Sequence, residues 1–130
     1  MKNTYLFLIL ISALLLGRLV AEEYTLPYEL TLIPEARLAI SDVYDSPGGD
    51  REESIARFGS KSSREEVIAF YRKALEEAGF TIYSSSDKPT YAMIAGKRND
   101  DRITIYFKTE SDWVEADESE ISFKAVYNKP

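Results

Sequence analysis

The sequence contains no cysteine and no histidine. The missing thiols exclude disulfide staples, cysteine-ligated zinc and lipid attachment at a lipobox-type cysteine. The missing imidazoles exclude Ser-His-Asp and Cys-His catalysis, the HExxH zinc sites and histidine-ligated haem. No GxxxxGK[ST] and no GxGxxG occurs, so phosphate-cradling loops find no support. Carboxylate, Tyr, Lys and Ser chemistry remains. No catalytic residue, no metal ligand set and no cofactor is assigned.

Long apolar runs are also scarce. One stands at the start, from Tyr5 to Leu16, broken only by Ser12. Lys2 precedes it, Gly17 and Arg18 end it, and Leu19-Val20-Ala21 places a small residue before Glu22. That is the anatomy of a secretory leader cleaved after Ala21. The competing reading is a retained anchor, but the run is short against the ~20 residues that cross a bilayer. Arg18 on its far side also disagrees with the positive-inside rule. The expected product is an exported chain, periplasmic or secreted, with no membrane span in its mature form. Residues 1–21 form the leader, 22–33 a lead-in or linker, and 34–130 a single domain.

Without Lys2 and Arg18 the chain keeps 14 basic residues against 22 acidic ones, a net charge of −8. Such a body gains nothing from a phosphate backbone, so nucleic acid is not an expected partner. By the same argument it should not adhere to anionic lipid. With no staples available, the fold must hold by packing alone, which a chain of this length can do.

The most strongly specified element lies between Ser62 and Phe80, SSREEVIAFYRKALEEAGF. Ser63 with Glu66 forms a capping box, and Glu65 and Glu66 put negative charge on the positive end of the helix dipole. Val67, Phe70, Tyr71, Ala74, Leu75 and Ala78 recur at helical spacing and form one apolar stripe. Gly79 suits the left-handed C′ position, with Phe80 folding back on Leu75. A helix this short needs its stripe buried against something else.

Short strands surround the helix. Residues 37–44 and 52–59 flank a Pro47-Gly48-Gly49 turn. Phe80–Tyr83 reads as a short strand followed by a loop through Pro89, and 90–95 as an apolar strand. Residues 102–108 alternate cleanly, with Ile103, Ile105 and Phe107 facing one way and Tyr106 the other. Residues 120–127 do the same. Such alternation marks an antiparallel sheet with one wet face. The fold class is therefore α+β: one amphipathic helix on one face of a mainly antiparallel sheet of four to six strands. No internal repeat or low-complexity segment interrupts it.

Carboxylates cluster twice. Asp42, Asp45 and Asp50 surround the first turn, as solvated turn residues or as a weak cation site, without EF-hand spacing. Asp112, Glu115, Asp117, Glu118 and Glu120 surround Trp113, either as a solvated acidic loop or as a tip in which Trp113 anchors a partner. Tyr106, on the wet face, together with Val126 is either ordinary strand preference for aromatic and β-branched residues or an apolar contact patch. Trp113, Tyr106 and Val126 are thus the candidate contact residues.

The pattern Ser63-x-Glu65-Glu66-Val67-x-x-Phe70-Tyr71-x-x-x-Leu75-x-x-x-Gly79-Phe80 resembles a recurrent one in small exported bacterial domains of unknown function. In these a Pro-x-Ala segment opens the domain and a strand precedes the helix. Here Pro34-Glu35-Ala36 and 53–59 hold those places, with Glu35 where the family often has Gly. The resemblance spans 34–108. It implies an extracytoplasmic domain and carries no activity and no catalytic residue. The expected function is a non-enzymatic module that binds an envelope protein or another extracytoplasmic partner. The alternative is a small carboxylate-dependent hydrolase or lyase with a cleft between helix and sheet.

Overall fold

The computed structural model describes residues 25–45, 49 and 51–128. The leader therefore lies outside the described residues, as do Asp50 and the side chains of Asp42 and Asp45. Six strands and one helix follow the order β1 (Arg37–Asp45), β2 (Arg51–Ser60), α1 (Arg64–Glu77), β3 (Thr81–Lys88), β4 (Tyr91–Arg98), β5 (Asp101–Lys108) and β6 (Ser119–Asn128). The strands form one sheet in the spatial order β1-β2-β6-β5-β4-β3, and every neighbouring pair is antiparallel. One helix on one face of an antiparallel sheet is the α+β architecture that the alternation patterns require. The helix is the single long crossover, carrying the chain from β2 across three strands to β3.

The helix ends are built as their residues dictate. Ser63 Oγ accepts the Glu66 N–H at 3.2 Å and donates to the Glu66 carboxylate at 3.1 Å. This satisfies one of the first turn's free backbone donors and ties the two side chains together. At the other end Gly79 has φ +86°, Phe80 N–H reaches the Leu75 carbonyl at 2.9 Å, and Gly79 N–H reaches that of Glu76 at 3.1 Å. That pair of bonds is a Schellman ending, which needs a residue without Cβ strain at C′. Val67, Tyr71 and Leu75 are completely buried.

The inner face of the sheet is supplied by every second residue: Ala56 and Phe58 on β2, Ile121 and Phe123 on β6, Ile103, Ile105 and Phe107 on β5, Ala92 and Ile94 on β4. Tyr71 meets Phe123 edge to face at 5.0 Å, and Phe123 meets Phe58 at 5.7 Å. The helix lies over β3, β4 and β5. The rest of the inner face is sealed by the segment before β1, which the sequence reads as a lead-in or linker. Leu26, Leu30 and Ile33 are buried in the same cluster as Phe58, Phe123 and Tyr71. Its backbone is anchored as well: Ile33 N–H donates to Tyr71 Oη at 2.9 Å, and the Tyr28 hydroxyl donates to the Val126 carbonyl at 3.1 Å. Its apolar residues follow a 3₁₀ turn at Pro27–Glu29 and three left-handed residues, Tyr28, Glu29 and Glu35, so no regular period shows.

β3 also runs further than its sequence suggests, through Ser84-Ser85-Ser86 to Lys88. It is an edge strand with a bulge between Ile82 and Ser84. Pairing to β4 holds its polar residues extended, while the bulge disrupts their alternation.

Candidate functional site

The helix–sheet interface is filled with apolar side chains. Among the described residues, the buried polar ones are Ser54, Ser60, Glu118, Glu120 and Ser122. Both of these buried acids belong to the open face and its loop, while exposed Glu76 lines, with Arg72, a hollow between the helix and β3. The chemistry-bearing residues gather instead on the opposite face of the sheet.

Register places Ser122 of β6 between Arg57 of β2 and Tyr106 of β5 on this open face. Lys124 is two residues along β6, opposite Ile55 and Thr104. Lys108 is two residues along β5, opposite Tyr91. Because Ser122 is short and its neighbours are long, it forms the floor of a hollow of about 180 Å³ walled by Ile55, Arg57, Tyr91, Tyr106, Lys108 and Lys124. The Tyr91 and Tyr106 rings lie 6.3 Å apart, tilted by 43°. Burial beside Tyr106 holds the Tyr91 hydroxyl above the ordinary tyrosine range.

The loop 109–118 borders this hollow in a defined conformation. Trp113 N–H donates to Ser111 Oγ at 3.1 Å, and the Ser111 hydroxyl donates to buried Glu120 at 2.9 Å. Glu120 also receives the Ser122 hydroxyl at 3.4 Å and faces Arg57 Nε at 3.6 Å. The Arg57 guanidinium carbon in turn lies 5.0 Å from the centre of the Trp113 ring, a cation–π distance. The far end of the loop is pinned by Glu118, which is buried and accepts Arg37 at 2.6 Å and the Glu115 N–H at 3.0 Å. The Arg37 hydrogen bond, then the Glu115 N–H, holds the Glu118 carboxyl below the usual carboxylate range.

Gly59 makes this pinning possible. A Cβ there would stand 2.5 Å from Glu118 Oε1 and 2.7 Å from its Cδ. The acidic loop is thus folded back on the sheet through two buried carboxylates. An alternation pattern cannot reveal this, because Glu118 and Glu120 read as two more charges in an acidic run. The signal available was Gly59 at the end of an otherwise regular strand.

Of the three residues expected to make contacts, two come together. Trp113, 51% exposed, lies on Arg57, and Arg57 and Tyr106 flank Ser122. Val126 shares the face but sits four residues along β6 from Ser122, about 13 Å away at strand rise. It faces Glu53 and Arg102, beyond the hollow. Arg57, Lys108, Ser122 and Lys124 were not singled out from the sequence.

Charge is distributed unevenly. By register strands β2 to β6 carry Arg57, Lys88, Lys97, Arg102, Lys108 and Lys124 on the open face against Glu53 and the buried Glu120, and the bordering loop adds Glu110, Asp112, Glu115, Asp117 and Glu118. The helix is nearly balanced, with Glu65, Glu66, Glu76 and Glu77 against Arg64, Arg72 and Lys73. The net charge of −6 therefore conceals a local surplus of cationic side chains on the open-face strands. A ligand responds to the nearest charges, within about 8–10 Å, before it responds to the sum.

Among the described residues no group of three His, Cys, Asp or Glu is placed to hold a metal ion, and no helix is long and apolar enough to cross a membrane.

Fold and face together define a small α+β domain with a closed interior and an open sheet surface whose strands carry aromatic and basic side chains. Residues 40–119, more than half of the chain, match the family model described as START domain-like, and the chain belongs to that family. The match begins inside β1, so the sealing segment 25–36 lies before it. No curated protein matches the chain.

Proposed function

We propose that this chain is a non-enzymatic binding module that works outside the cytoplasm, with residues 1–21 removed as a leader, and that it binds through the open face of its sheet. Membership of the START domain-like family supports a ligand-binding role. The observation that carries the choice of face is the set Tyr91, Tyr106 and Arg57 around a hollow, bordered by exposed Trp113, where the inner face is already sealed by Leu26, Leu30 and Ile33. Aromatic and arginine side chains that leave part of their surface in water are the residue types that dominate binding energy at interfaces. Export rests on the apolar run from Tyr5 to Leu16 and the Ala21 boundary. An envelope protein or another extracytoplasmic molecule is the fitting partner.

The test is a paired capture. The mature chain and its Tyr106→Ala/Trp113→Ala variant are immobilised and exposed to envelope extract of the source cells. Specific recovery of a component by the wild type, lost in the variant at unchanged melting temperature, is the expected result. Equal recovery by both would overturn the assignment of the face. N-terminal sequencing of the chain made in those cells should begin at Glu22, and an intact Met1 in the extracellular fraction would overturn leader removal.

A further inference from the structure

We infer that the hollow over Ser122 is a site for a phosphate-bearing ligand, its dianionic head held by Lys108 and Lys124 and its organic part lying along Tyr91 and Tyr106. The inference rests on the open face being the binding face and goes on to name the ligand's chemistry. Three cations wall the hollow: Arg57, Lys108 and Lys124. Arg57 is partly neutralised by Glu120 at 3.6 Å and covered by Trp113. Lys108 and Lys124 are exposed and, among the described residues, neither forms an ion pair or a hydrogen bond. Two lysines without an ion pair of their own therefore flank one concavity, Lys108 standing cross-strand from the buried Glu120.

Two positive charges select among anions. A carboxylate brings one negative charge, whereas a phosphomonoester brings about −1.5 to −2 at neutral pH with three acceptor oxygens. Lysine ammonium groups act as point charges toward phosphate and need no planar fork. Strand spacing of about 4.8 Å and a two-residue rise of about 7 Å put the backbone origins of both lysines within reach of the space above Ser122. The Ser122 hydroxyl adds a donor on the floor, since its present partner, Glu120, lies at a long 3.4 Å. A volume of about 180 Å³ admits a head group and a small ring but no bulky ligand. The tilted tyrosine pair offers apolar surface on one side of that space.

The chain's own tryptophan reports on the experiment, because Trp113 is the sole one in the sequence and stacks on a residue that walls the hollow. The mature chain is titrated at low salt with inorganic phosphate, phenyl phosphate, benzoate and phenol while Trp113 emission is followed. Phenyl phosphate should give a saturable change, inorganic phosphate a weaker one, and benzoate should bind at least about tenfold more weakly than phenyl phosphate. Lys108→Ala and Lys124→Ala should each weaken phenyl phosphate about five- to tenfold. Lys88→Ala, on the same face but outside the hollow, should leave it unchanged.

Vesicles of phosphatidylcholine with and without phosphatidic acid separate the two sources of the head group. Co-sedimentation with the phosphatidic acid vesicles, displaced by phenyl phosphate, assigns the site to a lipid head group; soluble binding without co-sedimentation assigns it to a small phosphate ester. Absence of saturation by either phosphate at about 10 mM, far weaker than a specific site, would overturn the inference. So would benzoate equal to phenyl phosphate, or an equal loss in Lys88→Ala. If the phosphates fail while the Tyr106→Ala/Trp113→Ala variant still loses its captured component, the phosphate chemistry falls and the binding face stands.

Discussion

Replacing Gly59 by Ala adds one methyl group and should unpin a whole loop. The new Cβ would fall 2.5 Å from Glu118 Oε1 and 2.7 Å from Oε2, far inside van der Waals contact. The Glu118 side chain must swing away, since strand β2 is held between β1 and β6 and cannot retreat. The swing sacrifices the 3.0 Å bond from the Glu115 N–H and the 2.6 Å contact with Arg37. A hydrogen bond to a charged group contributes about 1.5–3 kcal/mol. The Arg37 contribution belongs at the low end, under about 1 kcal/mol, because its side chain is 48% exposed. Removing a glycine from an extended strand returns about 0.4–1 kcal/mol through the unfolded state. The net expectation is a loss of about 1–3 kcal/mol, or roughly 4–8 °C per kcal/mol in a domain of this size. Urea unfolding of Gly59→Ala, Glu118→Ala and the double variant measures it. If the methyl acts by displacing Glu118, the second substitution should add little to the first, with a coupling of at least about 1 kcal/mol. Trp113 emission should move toward that of solvent in Gly59→Ala before global unfolding. Additive effects within about 0.5 kcal/mol, or an unchanged Trp113 signal, would refute the displacement argument.

Three further outcomes follow from the packing and the titrating groups. Leu30→Ala should cost about 2–5 kcal/mol by calorimetry or urea unfolding if the segment before β1 belongs to the core, and close to nothing if it is a linker. Tyr71→Phe should cost about 1–3 kcal/mol, because it leaves the Ile33 N–H buried without its acceptor. Burial holds the Tyr71 hydroxyl well above its ordinary value. The unfolded chain therefore ionises first as pH rises, so stability should decline above about pH 10 in the wild type and less in Tyr71→Phe. Glu118 has the opposite sign. Its folded value lies below the ordinary glutamate range, so its contribution is present above about pH 4.3 and disappears as pH falls through the folded value. Glu118→Gln should flatten the acid limb of the stability curve, and an unchanged limb would show that Glu118 carries none of it.

The helix was readable from the chain alone, down to its caps, because every determinant is local. Ser63, Glu66 and Gly79 satisfy backbone groups within one turn of themselves, and the stripe from Val67 to Ala78 follows from 3.6-residue geometry. Strands β5 and β6 were equally legible, since alternation at period two requires no knowledge of the partner strand. Composition settled the absence of thiol and imidazole chemistry for the same reason: it depends on no coordinates.

What depends on which strand lies beside which was decided by the tertiary structure. Leu26, Leu30 and Ile33 show no period, and only the inner face left open by the helix explains their burial. The hollow exists because β2, β6 and β5 become neighbours and set Ser122 between Arg57 and Tyr106, residues 16 or more positions away in sequence. Glu118 and Glu120 became buried anchors rather than loop charges once Gly59 and Ser122 came beneath them. Net charge is a sum over residues and is the same for any fold; which basic side chains share the open face of the sheet appears only when strand pairing has assigned every side chain to one side.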